Sequence, residues 1–570
     1  MGDQGRAELY LSAECADLKD VQHATADDVE AIVLGHPYRS DRVDWCDAHD
    51  VVETYGKRGK DFVKDLHGSF AVVICDRLEN RVLAATDRAA TYPLFLARGP
   101  AGLMFSDSIE ELCCRLGRVA LDRRALSELL TLCYMLDDRT LLEEVRTVRP
   151  ATVVEVDGRG HVSERIYWRL SDFVQEAPVD EREVLDLFND GVRGALETPG
   201  EIVLSLSGGL DSRAIMSACM PARERLRCYT FGPARSRDVA IGKRTCRKVG
   251  MATRVTPIDE RTLETFPQSS ERMMRWSNGL VNFIAWSHLP AIYEKECSGA
   301  GVHMYGIGGE MLRLYLVAHG PGEVASKADI AGAVVSMGVP DMARALLAGL
   351  HADQPDMVRD SVRESLDATG VDDPLLASEC WYLDQRMSRY IALSILPAER
   401  FCRQYNPFLH TPVLEAVPRL RAEMKRHSRM HRYIVDHNSP ELASVVLASG
   451  ELATLKPRRL STLWYYGYCQ ARNTARRTLN KASGAIRGEP LVFQGHYNYG
   501  GLTARYQRQF VLDTLDPDSM VLADLVDIEA VKDIVGRSLS GSNVAFRAAG
   551  NLMSAEMWLK RVGSVADLRV

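Results

Sequence analysis

The sequence contains no apolar run of the about 18 residues that a membrane-spanning helix needs. Its first residues, Met-Gly-Asp-Gln-Gly-Arg, also lack the apolar core of a secretory signal peptide. We therefore expect a cytoplasmic protein with no membrane partner.

Cysteines are present but never in the spacing of a metal or redox motif. The chain has 13 cysteines, no Cys-x-x-Cys, and one adjacent pair, Cys113 and Cys114. Scattered cysteines in a long chain are typical of reduced, buried thiols rather than of a disulfide framework or a zinc site.

Basic residues are not in excess either. The chain carries 70 Lys and Arg residues against 77 Asp and Glu residues, so its formal net charge is −7. Nucleic-acid-binding domains usually present a basic surface, and we therefore expect no nucleic-acid partner.

Two regions with different patterns divide the chain. A chain of 570 residues needs more than one core, because single cores stop growing at about 250–300 residues. The first region is rich in short β-prone runs, and two of these, 68–76 and 81–85, predict a hairpin. We expect domains at 1–170 and 183–570.

The second region alternates strands with helices, which is typical of a parallel sheet covered by helices. Beyond about residue 325 the pattern is mostly helical. The four strands expected in this sheet are 202–205, 227–231, 253–257 and 303–305.

The most informative stretch follows the first of these strands. Ser207, Gly208, Gly209, Asp211 and Ser212 form a small-residue loop that leads into a helix. Loop amides and a helix N-terminus together favour an anion. The loop lacks the Gly-Lys-Ser/Thr of the Walker motif. It resembles instead the loop that holds pyrophosphate in enzymes that cleave ATP between the α and β phosphates.

Several further motifs follow one another along the chain. They are His67-Gly68-Ser69-Phe70-Ala71, Ala85-Thr86-Asp87-Arg88, Tyr92-Pro93-Leu94, the loop 207–212, Tyr229-Thr230-Phe231-Gly232, Tyr305-Gly306-Ile307-Gly308-Gly309-Glu310, Asn406-Pro407-Phe408-Leu409-His410 and Lys456. In this order they give the chain a resemblance to the asparagine synthetase superfamily. The resemblance implies an α/β protein, with an N-terminal Ntn-hydrolase-like αββα sandwich of glutaminase type. It also implies a C-terminal PP-loop ATP-pyrophosphatase domain with a parallel sheet and a helical C-terminal region.

The departures from the family pattern bear on function. Glutamine-using members begin with a Cys whose α-amino group is its base, whereas position 2 here is Gly2 and the first cysteine is Cys15. We expect a front domain that no longer hydrolyses glutamine, as in β-lactam synthetases and lasso-peptide cyclases. Neither branch matches fully. Ile307 replaces the catalytic Tyr of β-lactam synthetases, and Glu310-Met311 replaces the Asp and following acid of most relatives.

The resemblance implies ATP and Mg²⁺ as cofactors. It assigns Asp211 and Glu310 to the metal, and Lys456 and Asp211 to catalysis. The expected ATP and pyrophosphate ligands are Leu204, Ser205, Leu206, Ser207, Gly208, Gly209, Asp211, Ser212, Thr230, Phe231, Gly232 and Gly308.

Each of these roles has a structural alternative. Glu310 fits a solvated acid at a turn, Phe231 fits core packing, and Lys456 fits a solvent-facing basic cluster. Asp238 would either reach the nucleotide or cap its helix. Arg213 would contact phosphate or pair with an acid. The general base stays unassigned among His288, His303, Tyr305 and His410.

We therefore expect an AMP-forming carbon–nitrogen ligase. It would adenylate a carboxylate and join it to an amine, by ring closure in specialised-metabolite biosynthesis. The alternatives are an intermolecular or ammonia-using ligase, a nucleic-acid-modifying pyrophosphatase and a non-catalytic partner-binding subunit. The expected partner is a small molecule or peptide bearing a carboxylate, with a peptide-processing protein as a further candidate.

Overall fold

The computed structural model describes residues 21–39, 43–100, 102–233, 236–319, 325–348, 356–455 and 506–570, with single positions between 464 and 478. Gly2, Cys15 and Lys456 lie outside the described residues. No helix within the described ranges is long and apolar enough to cross a membrane.

Seventeen strands are defined within these ranges. They are β1 Val21–Ala26, β2 Val29–Arg39, β3 Asp44–Trp45, β4 Leu66–Asp76, β5 Arg81–Thr86, β6 Phe95–Gly99, β7 Gly102–Ser106, β8 Arg118–Ala120, β9 Val145–Thr147, β10 Thr152–Val156, β11 Val162–Ile166, β12 Ile202–Ser205, β13 Leu226–Gly232, β14 Thr253–Pro257, β15 Val302–Met304, β16 Arg403–Tyr405 and β17 Asp567–Arg569.

Helices dominate the second half of the chain. The described α-helices are α1 Ala48–Arg58, α2 Ile109–Leu116, α3 Arg123–Leu132, α4 Glu181–Leu196, α5 Asp211–Cys219, α6 Arg237–Lys248, α7 Glu260–Glu264, α8 Phe266–Ser277, α9 Leu289–Cys297, α10 Tyr315–His319, α11 Lys327–Ser336, α12 Pro340–Leu346, α13 Met357–Asp367, α14 Pro374–Trp381, α15 Leu396–Glu399, α16 Thr411–Ala416, α17 Ala422–Lys425, α18 Arg429–Asn438, α19 Pro440–Ala443, α20 Arg508–Thr514, α21 Ile528–Leu539 and α22 Asn543–Gly563. A π-helical segment, Tyr382–Ile391, follows α14.

The N-terminal domain is built on two antiparallel sheets. The larger has the order β1-β2-β4-β5-β10-β11, with β3 on β2, and the smaller has the order β7-β6-β9. Alternate residues of β2 point to opposite faces of its sheet. Ala31 and Val33 pack against Val51 of α1, whereas Ile32 and Leu34 belong to the larger core shared with the second sheet. This is the sandwich that the sequence predicts, including the hairpin of β4 and β5.

The C-terminal domain centres on a five-stranded parallel sheet in the order β14-β13-β12-β15-β16. Its central strand, β12, is fully buried up to Leu204 and pairs with β13 on one side and β15 on the other. The α/β fold class is therefore confirmed. Two short strands, β16 and β17, depart from the helical pattern expected beyond residue 325.

The two domains meet along a buried polar seam. Tyr38 Oη lies 3.2 Å from His410 Nδ1, and His36 Nδ1 lies 2.8 Å from Glu399 Oε2. Burial also lowers the pKa of His67 to about 3. These contacts fix β2 of one domain against β16 and its neighbours in the other.

His303 ties three strands of the parallel sheet together. Its Nε2 lies 3.1 Å from Tyr229 Oη on β13, and its Nδ1 lies 2.7 Å from Gln404 Oε1 on β16. The amide oxygen can only accept, so Nδ1 carries the proton and Nε2 accepts from the tyrosine. Burial lowers the pKa of His303 to about 4.

This geometry gives the fold a predictable response to acid. The unfolded chain binds a proton at His303 near pH 6.5, while the folded chain does so only near pH 4. The free energy of unfolding should therefore fall as the pH drops through this window, by up to about 1.4 kcal/mol per pH unit from this residue. His303→Gln should reduce that slope in urea denaturation between pH 7 and 4.

Exposed His161 provides the matched control, and His161→Gln should leave the slope unchanged. An identical slope in wild type and His303→Gln would show that His303 is not held neutral by the fold.

Candidate active site

The small-residue loop lies at the carboxyl end of β12, where open parallel sheets bind ligands. β12 pairs with β13 on one side and with β15 on the other, so the loop stands at a topological switch point. Two serines close the loop on itself. The Ser207 amide donates to Ser212 Oγ at 3.0 Å, and the Gly209 amide donates to Ser207 Oγ at 3.1 Å.

Gly208 is the point at which this loop touches its neighbours. Its amide donates to Asp238 Oδ1 at 2.9 Å, and its carbonyl accepts from the Ala448 amide at 2.9 Å. A Cβ at position 208 would lie 2.5 Å from Ala448 Cβ, a contact that only glycine avoids. Asp238, in the first turn of α6, therefore holds the loop amide.

The two predicted metal ligands come together from separate elements. Asp211 is the first residue of α5, and Glu310 lies in a turn that follows β15. Glycines make the approach possible, because a Cβ at Gly309 would lie 2.5 Å from Asp211 Oδ1. Gly308 has a φ of +87°, and its amide donates to Glu310 Oε2 at 3.2 Å.

A residue that the sequence analysis missed bridges these carboxylates. Arg313 Nη2 lies 3.1 Å from Asp211 Oδ2 and 2.9 Å from Glu310 Oε1. Arg313 comes three residues after Glu310, but no spacing rule in the loop pointed to it. One guanidinium thus neutralises part of the charge of both acids.

His431 of α18 is the second residue that the sequence did not reveal. It is fully buried, and its Nε2 lies 3.0 Å from Asp211 Oδ1, although the two atoms are not aligned for a hydrogen bond. Burial opposes the negative charge of Asp211, but Arg313 and His431 outweigh it. They hold the pKa of Asp211 below its usual range.

The donors at this point suit a divalent cation. Asp211 Oδ1 is buried and has no aligned hydrogen-bond partner among the described residues. Within those residues there is no group of three or more His, Cys, Asp or Glu side chains that could hold a metal. Proteins nonetheless typically bind Mg²⁺ through only one or two carboxylates, and phosphate and water supply the remaining ligands.

The residues expected at the adenosine lie on the same sheet edge, but their surroundings differ. Leu204 and Leu206 are in the core, which leaves only their backbone to face a nucleotide. Ser205 is half-buried at the end of β12. The next strand supplies Thr230, which is buried, and Phe231, which is half-buried with its ring 5.7 Å from that of His288.

Other sequence candidates prove to have structural contacts. Arg213 is fully buried and donates to the carbonyl oxygens of Val445 and Val446 rather than facing the loop. Burial lowers the pKa of Arg213 to about 9. His303 is enclosed within the sheet and His410 lies in the domain seam, so neither is placed to act as a base beside Asp211.

Comparison with known proteins adds two family matches. Residues 31–168 match the model described as a glutamine amidotransferase domain. Residues 183–309 match the model described as asparagine synthase, and this part contains the loop with Asp211 and the glycines Gly306, Gly308 and Gly309. The two matches follow one another in the order that the sequence resemblance predicts.

Individual relatives are distant. Asparagine synthetase [glutamine-hydrolyzing] 3 of Bacillus subtilis (strain 168) is 28% identical over 173 residues, 30% of this chain and 28% of that protein. A putative asparagine synthetase [glutamine-hydrolyzing] of Mycobacterium tuberculosis (strain ATCC 25618 / H37Rv) is 26% identical over 276 residues, 44% and 39% of the two chains. The chain therefore spans less than half the length of these curated relatives.

Among solved structures, a glutamine-dependent NAD+ synthetase from Acinetobacter baumannii in complex with ADP covers 47% of this chain and 66% of its own. It shares 12% sequence identity with a TM-score of 0.17, a likeness too low to bear on the function. The two family matches and the asparagine synthetase relatives support instead a member of the asparagine synthetase-like superfamily, with a glutamine amidotransferase-type domain followed by an asparagine synthase-type domain.

Proposed function

We propose that this protein is an ATP-dependent, AMP-forming amide ligase. A substrate carboxylate oxygen attacks the α-phosphorus of ATP, the bond to the β-phosphate oxygen breaks, and pyrophosphate leaves. An amine nitrogen then attacks the acyl-adenylate carbon, AMP departs, and the amine gives up one proton. The observation that carries the proposal is the loop 207–212 at the end of β12, with Asp211 and Glu310 joined beside it by Arg313.

The loop suits a departing pyrophosphate. Its amides and the N-terminus of the nine-residue helix α5 supply partial positive charge, and the hydroxyls of Ser207 and Ser212 fix the loop. Mg²⁺ held by Asp211 and Glu310 would supply charge stabilisation for the leaving group. Arg313 adds a fixed cation at the same place, where negative charge develops during cleavage.

In its finer form, the proposal is that the amine belongs to the same substrate molecule. The product would then be a ring of the lasso-peptide or lactam type, made in specialised metabolism. The support for this form is the sequence resemblance to β-lactam synthetases and lasso-peptide cyclases. The substrate would be a carboxylate-bearing small molecule or peptide.

The central test removes one charge at the metal position. Asp211→Asn keeps the shape of the side chain but loses the charge that would hold Mg²⁺. We expect carboxylate-dependent exchange of labelled pyrophosphate into ATP to fall by about 100-fold or more. The reaction would be driven by an extract of the host's small molecules and peptides.

The matched control is Asp341→Asn, because Asp341 is 94% exposed and remote from the loop in sequence. Full exchange activity in Asp211→Asn, or conversion of ATP to ADP and phosphate by the wild type, would contradict the adenylation proposal.

A second prediction concerns Arg313 and the metal. Arg313→Met leaves two carboxylates facing each other without their shared cation. Because the site is partly exposed, the expected loss is about 1–2 kcal/mol of unfolding free energy. Millimolar Mg²⁺ should restore the Tm of this variant and raise the Tm of the wild type much less.

Arg313→Lys keeps a positive charge. In a thermal-shift assay its Tm should therefore lie between the Tm of Arg313→Met and that of the wild type. If millimolar Mg²⁺ raises the Tm of neither Arg313→Met nor the wild type, Asp211 and Glu310 do not form a metal site.

The ring-closing form has its own readout. Extract metabolites consumed by the active protein should reappear lighter by the mass of one water, and nitrogen-15-labelled ammonium in the reaction should not enter them. Asp211→Asn is the negative control. Products that incorporate the label would support an ammonia-using ligase instead.

A further inference from the structure

Arg213 directly follows the small-residue loop in the chain and is completely buried. It lies in the first turn of α5, and it is 0% exposed. No carboxylate of the described residues forms an ion pair with it. Burying a charge without an opposite charge is costly, and apolar side chains can replace buried charges without loss of stability. Packing alone therefore does not account for a guanidinium at this position.

The guanidinium group joins two elements that support the loop. Its Nη1 donates to the carbonyl oxygen of Val445, and its Nη2 lies 3.4 Å from the carbonyl oxygen of Val446. Both carbonyls lie just after α19, outside any helix or strand, where buried backbone groups need a partner from elsewhere. Nη2 also lies 3.5 Å from Thr245 Oγ1 on α6. One side chain of α5 thus contacts both α6 and the segment after α19.

The same two elements hold Gly208 of the loop. Asp238 of α6 accepts a hydrogen bond from the Gly208 amide at 2.9 Å. Ala448, two residues after Val446, donates its amide to the Gly208 carbonyl oxygen at 2.9 Å. Arg213 therefore contacts the two elements that supply the hydrogen-bond partners of Gly208.

The peptide plane between Gly208 and Gly209 is the part of the loop that needs this support. A trans peptide is planar, and its C=O and N–H point in opposite directions. Here the C=O accepts from Ala448, and the N–H donates to Ser207 Oγ at 3.1 Å. Because neither glycine carries a Cβ, this plane can rotate at little steric cost. A rotated plane would turn a carbonyl oxygen toward the pyrophosphate that the loop is proposed to hold, and the two would repel each other.

We propose that Arg213 is a positioning residue for the pyrophosphate loop. By holding α6 and the segment 445–448 against α5, it keeps the Gly208 carbonyl turned away from the anion. The positive charge serves this purpose because charge-assisted hydrogen bonds are stronger than neutral ones. The inference rests on the proposed function, which assigns the loop to pyrophosphate.

Calorimetric titration of the full chain with pyrophosphate and Mg²⁺ tests the inference without turnover. Arg213→Met keeps an unbranched side chain but removes the donors. We expect the Kd for pyrophosphate to rise about tenfold or more, the factor for losing one hydrogen bond to a charged group. Arg213→Lys keeps the charge at a single nitrogen. Its Kd should lie between those of the wild type and Arg213→Met, and it serves if Arg213→Met fails to fold.

Arg389→Met is the matched control. Arg389 is also buried, but it donates to Thr147 Oγ1 of the N-terminal domain, at 2.7 Å. A general loss of stability would affect both Met variants, whereas a loss of loop position affects only Arg213→Met. Hydrogen–deuterium exchange provides the second readout. Peptides covering 203–214 and 444–455 should exchange faster in Arg213→Met and at the wild-type rate in Arg389→Met.

A folded Arg213→Met protein that binds pyrophosphate as tightly as the wild type would overturn the inference. An equal loss of affinity in Arg389→Met would overturn it too. The two proposals fail separately. Pyrophosphate binding that depends on Arg213, without AMP formation from any carboxylate, contradicts the ligase function. AMP formation by the wild type, with unchanged pyrophosphate affinity in Arg213→Met, contradicts only the role of Arg213.

Discussion

A single guanidinium group holds two carboxylates together at the centre of the candidate site. Asp211 and Glu310 follow the ends of different strands. Two neighbouring carboxylates repel each other unless a cation contacts both of them. Arg313 supplies that cation with one nitrogen atom. The pairing of β12 with β15 brings the ends of the two strands together, and the glycines of the turn leave room for the carboxylates to approach. The chemistry proposed for the site depends on the same charge balance.

Much of the fold was predictable because the strands that matter are apolar runs with clear ends. β12 is Ile-Val-Leu-Ser followed by a glycine-rich loop, and β4 and β5 flank a short turn. β16 was not predictable. Its sequence is Arg-Gln-Tyr, and it belongs to the sheet because Gln404 pairs with His303, a contact between distant residues that no local pattern records.

The same distinction applies to the site. The loop residues and Asp211 are contiguous, so their spacing alone indicates an anion site, and Glu310 sits in a recognisable glycine-rich turn. Arg313 and His431 are distant from Asp211 in sequence and contact it only in the folded chain. Arg313 comes from the turn after β15, and His431 comes from α18. Leu204 and Leu206 show the opposite case. They are next to the loop in sequence, but their side chains lie in the hydrophobic core and do not face it.

The strand β17 has a consequence for how the molecule is assembled. Residues Asp567–Arg569 pair in parallel with Arg118–Ala120 of the N-terminal domain, and Arg118 meets Asp567, 449 residues later in the chain, at 2.9 Å. Domains generally fold in order as they leave the ribosome. Here β8 of the first domain stays unpaired until β17, more than 400 residues later in the chain, has been synthesised. The pairing of β8 with β17 therefore forms only after the sheets of both domains have been synthesised.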